Sequence, residues 1–209
     1  MIDGLARRLL DPALDRTGRA LAARGVPADA LTFAGLACGL AAAFAIAFGL
    51  DGLAFLALAL NRLLDGLDGA VARATMQTDR GGFFDIVLDF VTYGAVPLAF
   101  AFRDPAANAL AAAALLFAFY VNGASFLAFA AVAAKRGLES AVRGKSIYFT
   151  AGLAEGTETV IAFAAMILWP QHFPVIALAF AGLTLMGAVA RVTLVWHIFR
   201  DQTMDEEER

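Results

Sequence analysis

The chain has 209 residues, 61% of them hydrophobic, and a mean hydropathy of +0.73, well above the roughly 45–50% apolar content of soluble domains. That composition excludes an ordinary soluble domain. The formal net charge of −3 owes much to Asp205, Glu206, Glu207 and Glu208, leaves no basic face for nucleic acid, and Cys38 alone supports neither a disulfide framework nor a cysteine zinc site.

Segment 1–25 carries Arg7, Arg8, Asp11, Asp15, Arg16 and Arg19 before any long apolar run. This order does not suit a cleavable signal peptide and predicts an amphipathic juxtamembrane helix. Six apolar runs follow, at 28–48, 53–71, 83–102, 106–134, 147–169 and 175–199. Each approaches the length of about 20 residues needed to cross a hydrocarbon core of ~30 Å. The breaks carry Asp-Gly, Gly-Gly, Asp-Pro and Pro signals, and 201–209 is an acidic tail. The expected architecture is one all-α polytopic membrane domain over 1–209, with six transmembrane helices.

With the N-terminus in the cytoplasm, that side receives Arg7, Arg8, Arg16, Arg19, Arg24, Arg73, Arg80, Lys135, Arg136, Arg143, Lys145, Arg200 and Arg209, whereas the other receives only Arg103. The positive-inside rule then predicts a multi-pass inner-membrane protein with both termini and the active site cytoplasmic. Trp169, Trp196, His172 and His197 read as interfacial anchors. Cys38 reads as a packing residue within the first span.

The second span reaches Asp65 and Asp68 shortly before leaving the membrane at Arg73; the third re-enters near Gly82 and meets Asp85 and Asp89. Spacings of three and four put each pair on one helix face, and the short connection makes the helices antiparallel neighbours, so the four carboxylates converge. Each mid-membrane charge costs about 2.5–3.5 kcal/mol on insertion scales, so a cation must neutralise the cluster. Oxygen-only donors describe a hard-cation site for Mg²⁺, Mn²⁺ or Ca²⁺. Inter-helix salt bridges to Arg62, Arg73 and Arg80 are the alternative. Gly69 and Ala72 admit a ligand close to the backbone, and Arg73 adds bidentate donors for a phosphate, together suggesting a pyrophosphate.

The stretches from Asp65 through Asp68, Gly69, Ala72 and Arg73, and from Gly81 through Asp85 to Asp89, resemble the signature of the CDP-alcohol phosphatidyltransferase family. That pattern is D-x2-D-G-x2-A-R, a spacer, and G-x3-D-x3-D. Seven residues separate Arg73 from Gly81 where the family has eight, so the deletion falls in the interhelical turn and leaves both halves of the motif intact. The six-helix layout and the preceding amphipathic helix extend the resemblance over nearly the whole chain. It implies transfer of a phosphatidyl group from CDP-diacylglycerol, or another CDP-alcohol, to the hydroxyl of an acceptor alcohol, with release of CMP. It further implies Asp65, Asp68, Asp85 and Asp89 as ligands to Mg²⁺ or Mn²⁺, as two ions, and Asp89 also as base. Gly69, Ala72, Arg73 and Gly81 would bind the CDP moiety, with Thr32 a further contact. Expected partners are these substrates, the bilayer and a second copy of the chain in a homodimer.

Glu155 and Glu158 lie within the fifth span at depths comparable with Arg191 and Arg62. They are expected either to pair with those arginines or, with Arg62, Arg191 and Lys145, to line an acceptor pocket. Asn122 and Ser125 read as hydrogen-bonding across helices. The rival from another class is an ion-coupled transporter using the buried carboxylates.

Overall fold

The structure is a computed structural model that describes residues 2–135 and 156–207, with side chains over 10–135 and 156–196. Among the described residues every regular element is helical. The order is α1 (Ile2–Ala23), α2 (Ala28–Ala47), α3 (Asp51–Ala74), α4 (Asp79–Arg103), α5 (Pro105–Lys135), α6 (Gly156–Leu168) and α7 (Phe173–Glu207), with a 3₁₀ turn at Pro170–His172 before α7.

The chain reverses where its residues permit it. Gly25 and Gly49 take positive φ values of +77° and +72°, conformations that disfavour a Cβ, and they separate α1 from α2 and α2 from α3. Thr78 caps α4, its Oγ1 accepting from Gly81 N at 3.0 Å, so Gly81 and Gly82 sit in the first turn of the helix and the expected break ends at Thr78. Asp104 Oδ1 accepts from Ala107 N at 3.1 Å, and Pro105 opens α5, where its missing N–H removes nothing from the helix. The predicted spans at 28–48, 53–71, 83–102 and 106–134 match α2 to α5 within a turn. The first part of the 147–169 span lies outside the described residues, and its remainder is α6. The last helix continues through most of the expected acidic tail, to Glu207.

Helix α2 packs against α3 and α4, α4 against α5, and α5 against α7, while α1 and α6 lie against α3 and against each other. Small residues allow the close approach. Ala42, Ala45, Ala54, Ala57, Ala111 and Ala118 are buried, and Ile46, Phe100, Leu115, Phe163, Met166 and Phe173 fill the space between helices. Phe100 and Phe173 stack with centroids 4.3 Å apart, fixing the start of α7 beside the end of α4. At that same end Arg103 pairs with Asp51, tying α4 to α3.

Large apolar side chains cover the outer surface, among them Phe44, Leu56, Leu98, Phe117, Val175 and Met186. An apolar surface of this extent suits lipid, in which helices satisfy their own backbone. Helices α2, α4, α5 and the segment Pro170–Trp196 are long and apolar enough to cross a membrane. Helix α3 has the length, with 24 residues, but carries Asp51, Arg62, Asp65, Asp68 and Arg73. Asp51 and Arg62 pair with α4, at Arg103 and Asp89, while Arg73 turns to Asp15 of α1, and such pairing is how a helix so charged is accommodated in an all-α membrane bundle.

Candidate active site

The four residues 75–78 join α3 to α4, and α2 packs against both. The turn brings Asp65 and Asp68 opposite Asp85 and Asp89, as the spacing predicts. Asp65, Asp68 and Asp85 each present a carboxylate oxygen, and these oxygens lie within 4.8 Å of one another. Asp68 is buried, and its Oδ2 has no hydrogen-bond partner. A buried, unpaired carboxylate oxygen facing two other carboxylates is strongly disfavoured unless a cation completes it. The donor set, three hard oxygens and no sulfur or imidazole, fits a divalent ion of the Mg²⁺ or Mn²⁺ type.

Two spaces meet at this cluster. A pocket of about 10 Å³ is lined by Thr32, Gly35, Asn61, Asp65, Asp68, Asp85, Asp89 and Thr92, with Leu36 and Leu88; it has room for a single water or ion. Beside it lies a cavity of about 600 Å³ that shares Thr32, Asp68 and Asp85 and extends along Gly69, Ala72, Gly81 and Gly82 to the α1–α2 connection at Gly25 and Pro27. Its volume is in the range of small-molecule sites. Thr32, Gly69, Ala72 and Gly81, the expected CDP contacts, therefore line one space.

Arg73 is not in that lining. Its Nη2 lies 2.8 Å from Asp15 Oδ1 of α1, and the pair is half-exposed. Arg80 does line the cavity and pairs with Asp29 Oδ2 at 2.6 Å. Two of the three arginines that the salt-bridge alternative assigned to the cluster thus pair elsewhere, and Arg62 alone among them reaches it.

Arg62 sits one turn from Asp65, with Nη2 at 2.7 Å from Asp89 Oδ1 and Nη1 at 3.6 Å from Asp65 Oδ2. Two residues that sequence reasoning did not single out hold it there. Asn61 Oδ1 accepts from Arg62 Nε at 2.8 Å, while Asn61 Nδ2 donates to Gly35 O of α2 at 2.8 Å. The Tyr93 hydroxyl accepts from Arg62 Nη1 and donates to Asp89 Oδ2, both at 3.4 Å. The available signals were adjacency to Arg62 and the four-residue spacing from Asp89.

On the acceptor side, the partners of Arg62 and Arg191 among the described residues are these. Arg62 turns to α4. Arg191 of α7 donates to Asn122 Oδ1 at 3.1 Å and Ser125 Oγ at 2.7 Å, so those two side chains do bond across helices. Sequence spacing matches depth along a helix axis but not the direction in which each side chain leaves its helix. Glu158 lies half-buried in the first turn of α6; Gly156, in the same turn, lies close enough to Tyr93 that a Cβ there would stand 3.9 Å from the hydroxyl. Glu155 and Lys145 lie outside the described residues.

Comparison with known proteins gives the family. The family described as CDP-alcohol phosphatidyltransferase matches residues 26–199. The chain is 44% identical over 193 residues to the inner membrane protein YnjF of Escherichia coli (strain K12), covering 92% of this chain and 94% of that one. It is 30% identical over 201 residues to the archaetidylinositol phosphate synthase of Methanothermobacter thermautotrophicus, covering 91% and 90%. The crystal structure of phosphatidylinositol phosphate synthase from Mycobacterium tuberculosis, with CDP-DAG bound, superimposes with a TM-score of 0.66 at 23% identity, over 88% of this chain and 93% of that one. The last similarity shows a shared fold.

Proposed function

The chain belongs to the CDP-alcohol phosphatidyltransferase family, and on that premise we propose that it transfers a phosphatidyl group from CDP-diacylglycerol, or a similar CDP-alcohol, to an acceptor hydroxyl in a metal-dependent reaction. The observation that carries this reading is the convergence of Asp65, Asp68 and Asp85 within 4.8 Å beside a cavity lined by Gly69, Ala72 and Gly81. The family accounts for the carboxylates that a transporter would also need.

In the proposed reaction the acceptor oxygen attacks the phosphorus that bears the lipid. A new P–O bond forms there, the bond from that phosphorus to the bridging oxygen of the pyrophosphate breaks, and its electron pair leaves with CMP. Asp89 receives the hydroxyl proton. Asp65, Asp68, Asp85 and Asp89 would hold the cation, which would withdraw charge from the pyrophosphate and from the departing CMP. Gly69, Ala72, Gly81 and Thr32 would lie along the CDP moiety, Gly69 and Gly81 leaving room for close approach to the backbone. The charge asymmetry of the chain supports a cytoplasmic site, where a soluble nucleotide is released while the lipid stays in the bilayer.

The test is CMP release by purified protein with Mg²⁺ or Mn²⁺ and CDP-diacylglycerol, against serine, glycerol 3-phosphate, inositol, inositol phosphate, choline and a phosphatidyl alcohol. Inositol phosphate comes first, because the relative at 30% identity carries the name of an archaetidylinositol phosphate synthase. Absence of CMP with every acceptor, together with no binding of CDP-diacylglycerol, would reject the proposal.

A further inference from the structure

Four carboxylates meet between α3 and α4, and among the described residues one guanidinium reaches them. Arg73 and Arg80 are engaged by Asp15 and Asp29. Arg62 Nη2 donates to Asp89 Oδ1 at 2.7 Å, the length of a charge-assisted hydrogen bond, and Arg62 Nη1 stands 3.6 Å from Asp65 Oδ2. A single side chain thus spans the two helices and touches a carboxylate of each.

The contact is made from outside the reaction space. Arg62 lines neither the small pocket between the carboxylates nor the cavity beside it, and its side chain is 16% exposed. It takes one oxygen of Asp89 and leaves the other, Oδ2, with the long 3.4 Å contact from the Tyr93 hydroxyl, so Asp89 keeps an oxygen for a cation held together with Asp65, Asp68 and Asp85. Neutral groups fix the guanidinium in place. Asn61 Oδ1 accepts from Nε and Asn61 Nδ2 donates to Gly35 O of α2, both at 2.8 Å, and Cζ lies 5.6 Å from the centre of the Tyr93 ring. Three helices therefore set where the charge sits, and none of these contacts spends it.

We infer that Arg62 is a positioning residue, a resident counter-cation that bridges Asp65 and Asp89 and shares with the divalent ion the neutralisation of all four carboxylates. The inference rests on the metal site of the proposed function. The charge has two opposite effects. It holds α3 and α4 together where their carboxylates would repel, since a carboxylate in a partly buried site is costly once its partner is removed. It also lowers the affinity of the same cluster for a divalent ion, because charges of one sign repel at this separation. The cluster is thereby set to bind its ion without depending on it for assembly.

The experiment measures thermal unfolding in detergent, in EDTA and in saturating Mn²⁺, with Mn²⁺ affinity read by electron paramagnetic resonance. The proteins are wild type, Arg62→Gln, Arg62→Lys, and Arg62→Gln combined with Asp89→Asn. In EDTA, Arg62→Gln is expected to melt about 6 °C or more below wild type. Arg62→Lys, which keeps the charge without the forked geometry, should lose less than half as much. The double variant removes both members of the pair and should recover most of the loss. Arg62→Gln is expected to bind Mn²⁺ about tenfold more tightly than wild type, and so to gain more in melting temperature when the ion is added. Lost packing alone would not raise the Mn²⁺ affinity. Where wild type binds the ion, unchanged or weaker Mn²⁺ binding by Arg62→Gln would overturn the inference. Equal losses in the Lys and Gln variants, or additive losses in the double variant, would do the same. If Arg62→Gln is not recovered folded, the double variant decides: a folded double variant supports the inference and an unfolded one rejects it. If wild type binds no Mn²⁺, the metal site of the proposed function fails, and the comparisons in EDTA still decide whether Arg62 is the counter-charge.

Discussion

Arg73 Nη2 stands 2.8 Å from Asp15 Oδ1, so the arginine of the signature is held by the N-terminal helix, 58 residues away in sequence. The packing around this pair is close. A Cβ at Gly18 of α1 would lie 2.6 Å from Ala70 Cβ, inside the signature, and one at Gly66 would lie 3.0 Å from a methyl of Leu14. Helix α1 is thus seated on the half of α3 that carries Asp65 and Asp68.

The half-exposed Arg73–Asp15 pair is worth about 0.2–1 kcal/mol, whereas a charge-assisted bond from Arg73 to a phosphate is worth about 1.5–3 kcal/mol. Asp15 therefore competes for Arg73 but loses to the donor. Asp15→Asn should lower the KM for CDP-diacylglycerol by no more than about fivefold. Arg73→Ala should raise it by about tenfold or more. Steady-state kinetics with the donor varied in mixed micelles checks both. A rise in KM for Asp15→Asn equal to that of Arg73→Ala would make Asp15 an orienting residue and not a competitor.

The unpaired Oδ2 of buried Asp68 makes a prediction about the metal that needs no turnover. Without divalent ions, Asp68→Asn removes one of three close carboxylates and should melt at a higher temperature than wild type in EDTA, because like charges no longer repel. Adding Mn²⁺ should stabilise wild type by about 2.7 kcal/mol at a hundredfold excess over Kd and leave Asp68→Asn nearly unmoved. Thermal unfolding in detergent, with and without Mn²⁺, reads both effects. Equal stabilisation of the two proteins would remove Asp68 from the metal site.

The helices and the convergence of the four carboxylates were legible because both follow from spacing: apolar runs of membrane length, and intervals of three and four on neighbouring antiparallel helices. The partner of each charge was not. Rise per residue placed Arg62 and Arg191 at the depth of the glutamates, but depth leaves the direction around the helix axis open, and Arg62 leaves α3 toward Asp89. Asn61 and Tyr93 escaped notice because an uncharged polar residue in an apolar run reads as packing. The start of α4 was misplaced by a turn because two consecutive glycines signal a break, whereas the Thr78 cap overrides them.

Gly39 shows how closely the site depends on helix packing. A Cβ there would lie 2.5 Å from Thr92 Oγ1 and 2.8 Å from its Cγ2, and Thr92 lines the pocket beside Asp89. Gly39→Ala should push α2 from α4 and destabilise the protein by about 1–3 kcal/mol, with lower activity. Thr92→Ala removes both clashing atoms, so the double variant should resemble Thr92→Ala alone, a coupling of about 1 kcal/mol or more. Thermal unfolding of the four proteins measures this cycle. Additive losses would show that the two helices adjust independently of this contact.

Arg191 offers the sharpest test of the acceptor. It is 7% exposed, and its hydrogen bonds run to neutral oxygens, Asn122 O and Oδ1 and Ser125 Oγ. Among the described residues these satisfy part of the guanidinium and supply no counter-charge, and a buried cation is costly unless one is brought to it. Arg191 lies about 27 Å along α7 from Phe173, and Asp68 about 26 Å along α3 from Asp51, so the two sit at the same depth in the bundle. A phosphate on the acceptor would supply the missing charge there. Arg191→Met keeps the bulk and removes the charge. It should raise the KM of a phosphate-bearing acceptor by about tenfold to a hundredfold, leave the donor KM unchanged, and have little effect with an acceptor that lacks phosphate. Parallel kinetics with inositol phosphate and inositol separate these outcomes. An unchanged KM for every substrate with a lowered melting temperature would instead make Arg191 a brace between α5 and α7.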